Sequence, residues 1–252
     1  LDTREVPTDR WYSGAGIYRP VWLVKRNRNH ICADGIYIHN EKTGSGYRTE
    51  IETQTNLTSE EDAFLHYRIL DSAKECVGET TVPARETAIL EITSPLEWSL
   101  DQTNLYELEA ELLIDGRRCD LEKVIFGYRT LKFTTDHGFF LNGKHVKLQG
   151  VCMHHDLGCL GSALYKDALI RQLKILKQMG VNAIRTSHNM PAVELLELAD
   201  RMGFLIDDES FDCWKREKTT YDYARFFDEW AERDVKNWVC RDRNHPSVIM
   251  WS

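Results

Sequence analysis

The C-terminal half of the sequence alternates short apolar segments with amphipathic ones, and this alternation limits the fold more than any other feature. Four apolar segments are typical of buried strands: residues 146–154, 183–187, 204–208 and 248–251. Residues 164–179 carry leucine and methionine at three- and four-residue steps, which predicts a helix. Residues 191–202 and 223–240 predict two more helices. Strands separated by helices with short loops form parallel sheets.

Two folds share this order of strands and helices, the doubly wound sheet and the (β/α)₈ TIM barrel. A nucleotide-binding doubly wound sheet needs a glycine-rich phosphate loop after its first strand, and the sequence has none there. A barrel builds its site from side chains at the carboxyl ends of its strands. Polar residues do follow these strands, so the sequence favours the first half of a barrel at residues 134–252.

The part of the chain before residue 134 has a different pattern of apolar residues. Six short, partly alternating segments predict strands: residues 31–38, 47–55, 64–70, 87–92, 106–114 and 124–133. Turn signals such as Asp115-Gly116 separate them. We therefore expect an immunoglobulin-like β-sandwich at residues 25–133. Residues 1–24 cannot build a core and are expected to be the end of another domain, which makes the whole a multidomain β plus α/β chain.

Composition narrows the range of partners. The net charge of -8 leaves no basic excess for nucleic acid or an anionic membrane, and no apolar run reaches the ~20 residues that cross a bilayer. The seven cysteines are scattered without a C-x-x-C pair, which indicates free thiols. The sequence starts without methionine and ends in an apolar strand, so we expect localisation signals to lie outside it and leave cytoplasm and periplasm open.

Ionisable residues at three consecutive strand ends indicate a functional site. In a metal-dependent hydrolase, four of them would ligate a divalent ion: His154, His155, Asp208 and Glu209. Neighbouring residues of a strand point to opposite faces, so His154 and His155 cannot both face a barrel axis without a bend. The alternation of side chains along a strand therefore makes the metal site the weaker of the hypotheses.

A glycosidase is the second hypothesis, because its site needs two carboxylates and further polar groups that hold sugar hydroxyls. Arg185 would then keep a nucleophilic carboxylate ionised and oriented. His154 and His188 would donate to hydroxyls. Trp214 would either offer an apolar face to a sugar ring or pack in the core.

Several motifs, taken in order, resemble glycoside hydrolase family 2, which includes β-galactosidases, β-glucuronidases and β-mannosidases. The segments are RWYSGAGIYR at residues 10–19, SPLEWS at 94–99 with NLY at 104–106, GVCMHHD at 150–156, AIRTSHN at 183–189 and RDRNHPSVIMWS at 241–252. The first resembles the end of the family's N-terminal jelly-roll sugar-binding domain, so the resemblance implies a jelly-roll tail at residues 1–24. The second pair resembles its immunoglobulin-like domain.

The resemblance also implies roles for single residues. Arg185 matches the arginine that orients the nucleophile, and His154 and His188 match histidines of the sugar subsite. Asp208 and Glu209 match the acidic pair that ends the third strand. Where some β-galactosidases ligate magnesium after that strand, this sequence has Cys213 and Lys215, so no metal site and no cofactor are expected.

The family resemblance places the general acid/base glutamate a few residues after Ser252 and the nucleophile on a later strand. It implies a retaining exo-β-glycosidase, and we expect these 252 residues alone to be inactive. A β-galactoside is favoured over a β-glucuronide because no additional basic residue for a uronate stands out. A carbohydrate substrate without nucleic-acid or membrane partners is expected, and a homo-oligomer stays open. A non-catalytic carbohydrate-binding or scaffold protein is the remaining alternative.

Overall fold

The computed structural model describes residues 4–9, 11, 16–58 and 62–252. The chain divides into two compact units. The β unit comprises Leu23–Lys147 and Arg243–Pro246, and the α/β unit comprises Leu1–Trp22, Leu148–Asp242 and Ser247–Ser252. A third of the segment expected to be a jelly-roll tail lies outside the described residues, namely residues 1–3, 10 and 12–15.

The β unit contains ten described strands. They are β1 His30–Lys42, β2 Gly46–Asn56, β3 Ala63–Leu70, β4 Cys76–Pro83, β5 Ala88–Thr93, β6 Tyr106–Ile114, β7 Arg117–Phe126, β8 Leu131–Thr134, β9 Gly138–Leu141 and β10 Lys144–His145. One antiparallel sheet has the order β1-β2-β5 and a second the order β4-β3-β6-β7, while β8, β9 and β10 form a small sheet. Both larger sheets contribute side chains to one apolar core, as expected for a β-sandwich.

Strand β6 shows how the sequence pattern forms this core. Alternate side chains of the strand, Tyr106, Leu108, Ala110 and Leu112, are buried, while the residues between them are partly exposed. The period of two is that of a strand with one face on a core. Asp115 and Gly116 then connect β6 to β7 with φ values of 49° and 72°, which is the geometry that favours Asp-Gly in a two-residue hairpin turn.

Among the described residues, the α/β unit contains four short strands and three α-helices, which the sequence pattern predicted with shifts of a few residues at their ends. They are β11 Gly150–Met153, α1 Lys166–Gln178, β12 Ala183–Thr186, α2 Val193–Met202, β13 Leu205–Asp208, α3 Phe227–Asp242 and β14 Val248–Trp251. The strands are parallel and pair in the order β11-β12-β13-β14. A doubly wound sheet reverses its strand order at a switch point, whereas this sheet keeps the sequence order of a TIM barrel.

Local chemistry sets the ends of the helices. Gly203 follows α2 with φ 70° and ψ 57°, and its N–H donates to Ala199 O at 2.9 Å; a glycine in this left-handed conformation is a common end of a helix. Asp222 precedes α3, and its carboxylate accepts from the backbone N–H groups of Lys218, Thr219 and Ala224. The expected helix at 223–240 therefore begins as a 3₁₀ turn, Tyr223–Phe226, and becomes α-helical at Phe227.

Candidate functional site at the carboxyl ends of the parallel strands

The register of the parallel sheet brings three strand ends to one edge. Cys152 on β11 pairs with Arg185 on β12, and Arg185 pairs with Asp207 on β13. The polar residues that follow these positions are therefore neighbours in space although they are distant in sequence. His154, His188 and Glu209 each come one or two residues after the end of a strand.

Glu209 is the acceptor at the centre of this cluster. Its side chain is only 8% exposed, and Oε1 accepts a hydrogen bond from an Arg185 Nη at 2.9 Å. The Nδ1 atom of His188 lies 3.1 Å from Oε1 and 3.3 Å from Oε2. The backbone N–H of Glu209 donates to Thr186 Oγ1 at 2.8 Å. The Arg185 cation thus compensates a nearly buried carboxylate, His188 contacts the same carboxylate, and Thr186 holds the backbone of Glu209.

Two histidines and a tryptophan form a compact ring trio beside this carboxylate. The ring centroids of His154 and His188 are 5.3 Å apart. Trp11 lies 5.3 Å from His154 and 5.1 Å from His188. Burial and the neighbouring His188 lower the pKa of His154 below its ordinary value, which favours the neutral imidazole near pH 7.

His155 lies outside this trio, although it follows His154 directly. Its ring stacks on Tyr18 at 5.6 Å, and its Nδ1 lies 3.5 Å from an Arg19 Nη. Burial, and then the charge of Arg19, lower the pKa of His155 to about 4. Arg19 also donates to the carbonyl oxygens of Met190 and Pro191. His155 and Arg19 thus support the segment that follows β12.

Asp208 lies beneath the cluster and belongs to a second, buried network. Its side chain is fully buried, and Thr186 Oγ1 lies 3.4 Å from its Oδ1. Asp242 is also fully buried and accepts two hydrogen bonds from Arg241, at 2.5 and 2.6 Å. Burial first, and then the carboxylate of Asp242, raise the pKa of Asp208 well above its ordinary value. A carboxyl group in this setting favours its protonated form.

This buried carboxyl group leads to a prediction about pH. A raised pKa in the folded state means that Asp208 stabilises the fold at pH values below its unfolded pKa of about 4, and that this contribution is lost as the pH rises toward the folded pKa. Asp208→Asn removes the titrating group. We therefore expect the stability of the variant relative to the natural protein to increase between pH 5 and pH 7, measured by thermal unfolding at each pH.

The matched control for that experiment is Asp167→Asn, which changes an exposed carboxylate of the same unit. Because this side chain is exposed, the substitution is expected to change the melting temperature little. A stability of Asp208→Asn relative to the natural protein that stays constant or falls as the pH rises would contradict the assigned burial of the Asp208 charge.

Trp214 stands apart from the cluster, on the loop between β13 and α3. Its side chain is 51% exposed. The ring packs on Phe211 at 5.3 Å and on Phe227 at 5.8 Å, and Phe211 in turn stacks on Tyr223. Of the two roles considered for Trp214, full burial in the core is not what the structure shows. The ring rests on an aromatic cluster and keeps part of its surface free.

Among the six residues expected to form the site shell, the structure brings four into one cluster: His154, Arg185, His188 and Glu209. Asp208 lies behind them and Trp214 on the neighbouring loop, and their roles stay predictions. Trp11 and Thr186 also lie at the site. Each belongs to one of the quoted motifs, but neither was expected there from the sequence. The partnership of Asp208 with Asp242 was not expected either.

The four residues of the metal hypothesis are not arranged as a ligand set. His155 faces Tyr18 and Arg19, and Asp208 is next to Asp242. Within residues 4–9, 11, 16–58 and 62–252, no group of three or more His, Cys, Asp or Glu side chains could hold a metal ion.

All seven cysteines are free thiols. In the part of the chain that the structure describes, no helix has the length and apolar character required to cross a bilayer.

Two family models match almost all of the region beyond the N-terminal segment. The model described as "Glycosyl hydrolases family 2" matches residues 30–129, and that described as "Glycosyl hydrolases family 2, TIM barrel domain" matches residues 133–252. The chain belongs to glycosyl hydrolase family 2. The predicted family, the immunoglobulin-like domain and the TIM-barrel domain are thereby confirmed.

Individual proteins are similar to this chain over 97–100% of its length. A β-galactosidase of Bacteroides ovatus, BoGH2A, is 42% identical over 100% of this chain and 31% of its own length. A putative β-glucuronidase of Formosa agariphila is 40% identical over 100% of this chain and 25% of its own length. The crystal structure of a β-glycosidase from Bacteroides vulgatus superposes with a TM-score of 0.93 at 36% identity, over 97% of this chain and 32% of that one. The chain therefore spans about a third or less of these relatives.

Proposed function

We propose that this chain is part of a retaining exo-β-glycosidase that hydrolyses terminal β-glycosides, with β-galactosides as the preferred substrates. The observation that carries the proposal is the cluster of Arg185, His188 and Glu209 beside His154 at the carboxyl ends of the strands. Active sites of TIM barrels are built at this face, and the chain belongs to a family of glycosidases. The short N-terminal segment is proposed to be the end of a jelly-roll domain.

The cluster supports defined roles for its residues. His154 and His188 present neighbouring ring nitrogens, which suit hydrogen bonds to adjacent hydroxyl groups of one sugar. Arg185 supplies a fixed positive charge that would keep a nearby nucleophilic carboxylate ionised. We expect that carboxylate and the acid/base glutamate in the sequence after Ser252, as the family resemblance implies. Attack at the anomeric carbon and protonation of the leaving oxygen would then proceed by double displacement, with retention.

The preference for a galactoside rests on charge. A uronate ligand adds a carboxylate that needs a free cation. Arg185, the cation of the cluster, is already paired with Glu209. In the proposed mechanism its positive charge serves Glu209 and the nucleophilic carboxylate rather than a uronate, so a neutral sugar fits the cluster better. The relatives include both a β-galactosidase and a putative β-glucuronidase.

Hydrolysis of nitrophenyl β-glycosides by the full-length protein tests this proposal. We expect nitrophenyl β-galactoside to give the highest kcat/KM in a panel that also contains the β-glucuronide and the β-mannoside. The sugar first released should be the β-anomer, as observed by NMR. The 252-residue chain alone is expected to release no nitrophenol. Sugar binding without hydrolysis by the full-length protein would favour a carbohydrate-binding protein, and preference for the β-glucuronide would overturn the substrate assignment.

A further inference from the structure

The ring trio contains one member that neither catalyses nor binds sugar in the function proposed above. Trp11 is distant from both histidines in the sequence, yet its indole contacts both of their rings. The interplanar angle is 44° with His154 and 60°, closer to edge-on, with His188. The two imidazoles themselves meet edge to face, at 79°. Each ring of the trio therefore restricts the planes of the other two.

The two histidines differ in what else holds them. His188 is oriented by its Nδ1, which lies within hydrogen-bond distance of both oxygens of Glu209. His154 has no such restraint, because its Nδ1 is buried and has no hydrogen-bond partner among the described residues. A histidine that contacts a ligand is normally oriented through the hydrogen bond of its other nitrogen. For His154, the contacts with Trp11 and His188 take the place of that bond.

The contact of Trp11 is one of ring packing. Its Nε1 is buried and also lacks a hydrogen-bond partner within the described residues. The indole N–H consequently contributes no bond that a replacement would lose, whereas the aromatic ring contributes contact area to two imidazoles. A phenyl ring at this position can keep part of that contact, and a methyl group cannot.

We propose that Trp11 is a positioning residue of the sugar site, and that its indole fixes the plane of the His154 imidazole for hydrogen bonding to a sugar hydroxyl. This inference rests on the proposed glycosidase function. It extends that function to a residue of the N-terminal segment, and it makes the orientation of His154 depend on packing rather than on a hydrogen bond.

The test compares kinetics of the full-length protein and its variants Trp11→Ala, Trp11→Phe, His154→Ala and Trp11→Ala/His154→Ala. A misplaced binding group lowers kcat/KM by about 10- to 100-fold, and we expect this loss for Trp11→Ala. Trp11→Phe should stay within about threefold of the natural protein, because a phenyl ring keeps part of the ring contact. In the His154→Ala background, Trp11→Ala should have little further effect, since residues that act through one another give non-additive changes.

Several results would overturn the inference. They are full activity of Trp11→Ala, equal losses for Trp11→Phe and Trp11→Ala, or additive losses in the double variant. Trp22→Ala is the matched control, because Trp22 belongs to the same segment and is 81% exposed; its kcat/KM should be unchanged. If Trp11→Ala fails to fold, Trp11→Leu replaces it in the same comparison.

A crystal structure of Trp11→Ala separates this inference from the proposed function. We expect the His154 ring to rotate or to become disordered in the variant, while His188 keeps its position beside Glu209. This outcome does not depend on which substrate the natural protein hydrolyses. An unchanged His154 ring would overturn the positioning role even if the glycosidase function holds. An inactive natural protein with a displaced His154 ring in the variant would instead contradict only the proposed function.

Discussion

Replacing Glu209 by alanine is expected to lower the kcat/KM of the full-length protein by about 100-fold or more. The variant removes the acceptor shared by Arg185 and His188, so the guanidinium and the imidazole lose their common anchor. Leaving one partner of a nearly buried charged hydrogen bond without its acceptor carries a penalty of about 1–3 kcal/mol or more, and each ~1.4 kcal/mol in the transition state is a factor of ten in rate. The measurement is steady-state hydrolysis of nitrophenyl β-galactoside.

Two further variants show whether the loss comes from this geometry. Glu209→Gln keeps the shape and one acceptor oxygen, so it should lose less activity than Glu209→Ala. Glu217→Ala removes an exposed carboxylate of the loop after β13 and should leave kcat/KM within about twofold, as is usual for a surface position. Activity of Glu209→Ala within twofold of the natural protein would show that Glu209 does not organise the site.

Asp242→Ala is expected to lower the free energy of unfolding by about 3–5 kcal/mol, because it breaks a buried ion pair by removing one partner. Arg241 directs two hydrogen bonds to the Asp242 carboxylate, and only 17% of the arginine side chain is exposed. The same guanidinium also donates to Pro191 O at 2.9 Å. Without Asp242, a buried cation would remain without its counter-charge. Urea denaturation of the full-length protein measures the difference.

The matched control is an exposed ion pair between the first turn of the same helix and the loop that precedes it. Lys215 and Asp228 are 3.0 Å apart, and both side chains are 77% exposed. An ion pair of this kind contributes about 0–1 kcal/mol, so Asp228→Ala should change the stability little. Equal effects of Asp242→Ala and Asp228→Ala would mean that the Arg241–Asp242 pair does not stabilise the fold in the way its burial implies.

Strand β6 and the α/β unit show what a sequence pattern can predict. The strand at residues 106–114 was predicted with the bounds that the structure has, because every second side chain is apolar and buried. The alternation of strands and helices at residues 146–251 likewise predicted the parallel sheet. In both regions the buried positions repeat with the period of the strand or helix, so the local sequence is enough to predict where each element lies.

Other strands lack a regular pattern of buried apolar residues. Strand β4, Cys76–Pro83, was not predicted, because it pairs only with β3 at the edge of its sheet and its residues are mostly exposed. The segment at residues 124–133 was predicted as one strand but contains the end of β7 and the first three residues of β8. The chain leaves the sheet at Gly127, where a Cβ atom would lie about 3.0 Å from the Trp98 side chain and 3.1 Å from Pro246. Such close packing depends on residues that are distant in sequence, so the local pattern of apolar residues does not predict the break at Gly127.

The candidate site also contains residues that the sequence predicted and residues that it did not. His154, Arg185, His188 and Glu209 could be predicted because each follows, or lies in, a strand whose carboxyl end is polar. The position of Trp11 against the two histidines, and the burial of Asp208 next to Asp242, depend on contacts between distant segments. No spacing of residues in the sequence predicts these contacts. The sequence thus predicted the residues that point into the site better than those that support it from behind.

A crystal structure of the full-length protein with its monosaccharide product tests the central claim most directly. The account predicts a sugar at the carboxyl ends of β11, β12 and β13, with hydroxyl groups in hydrogen-bond distance of His154 and His188 and next to the Arg185–Glu209 pair. A sugar bound at another face, with no contact to either histidine, would contradict the assignment of this cluster as the glycosidase site.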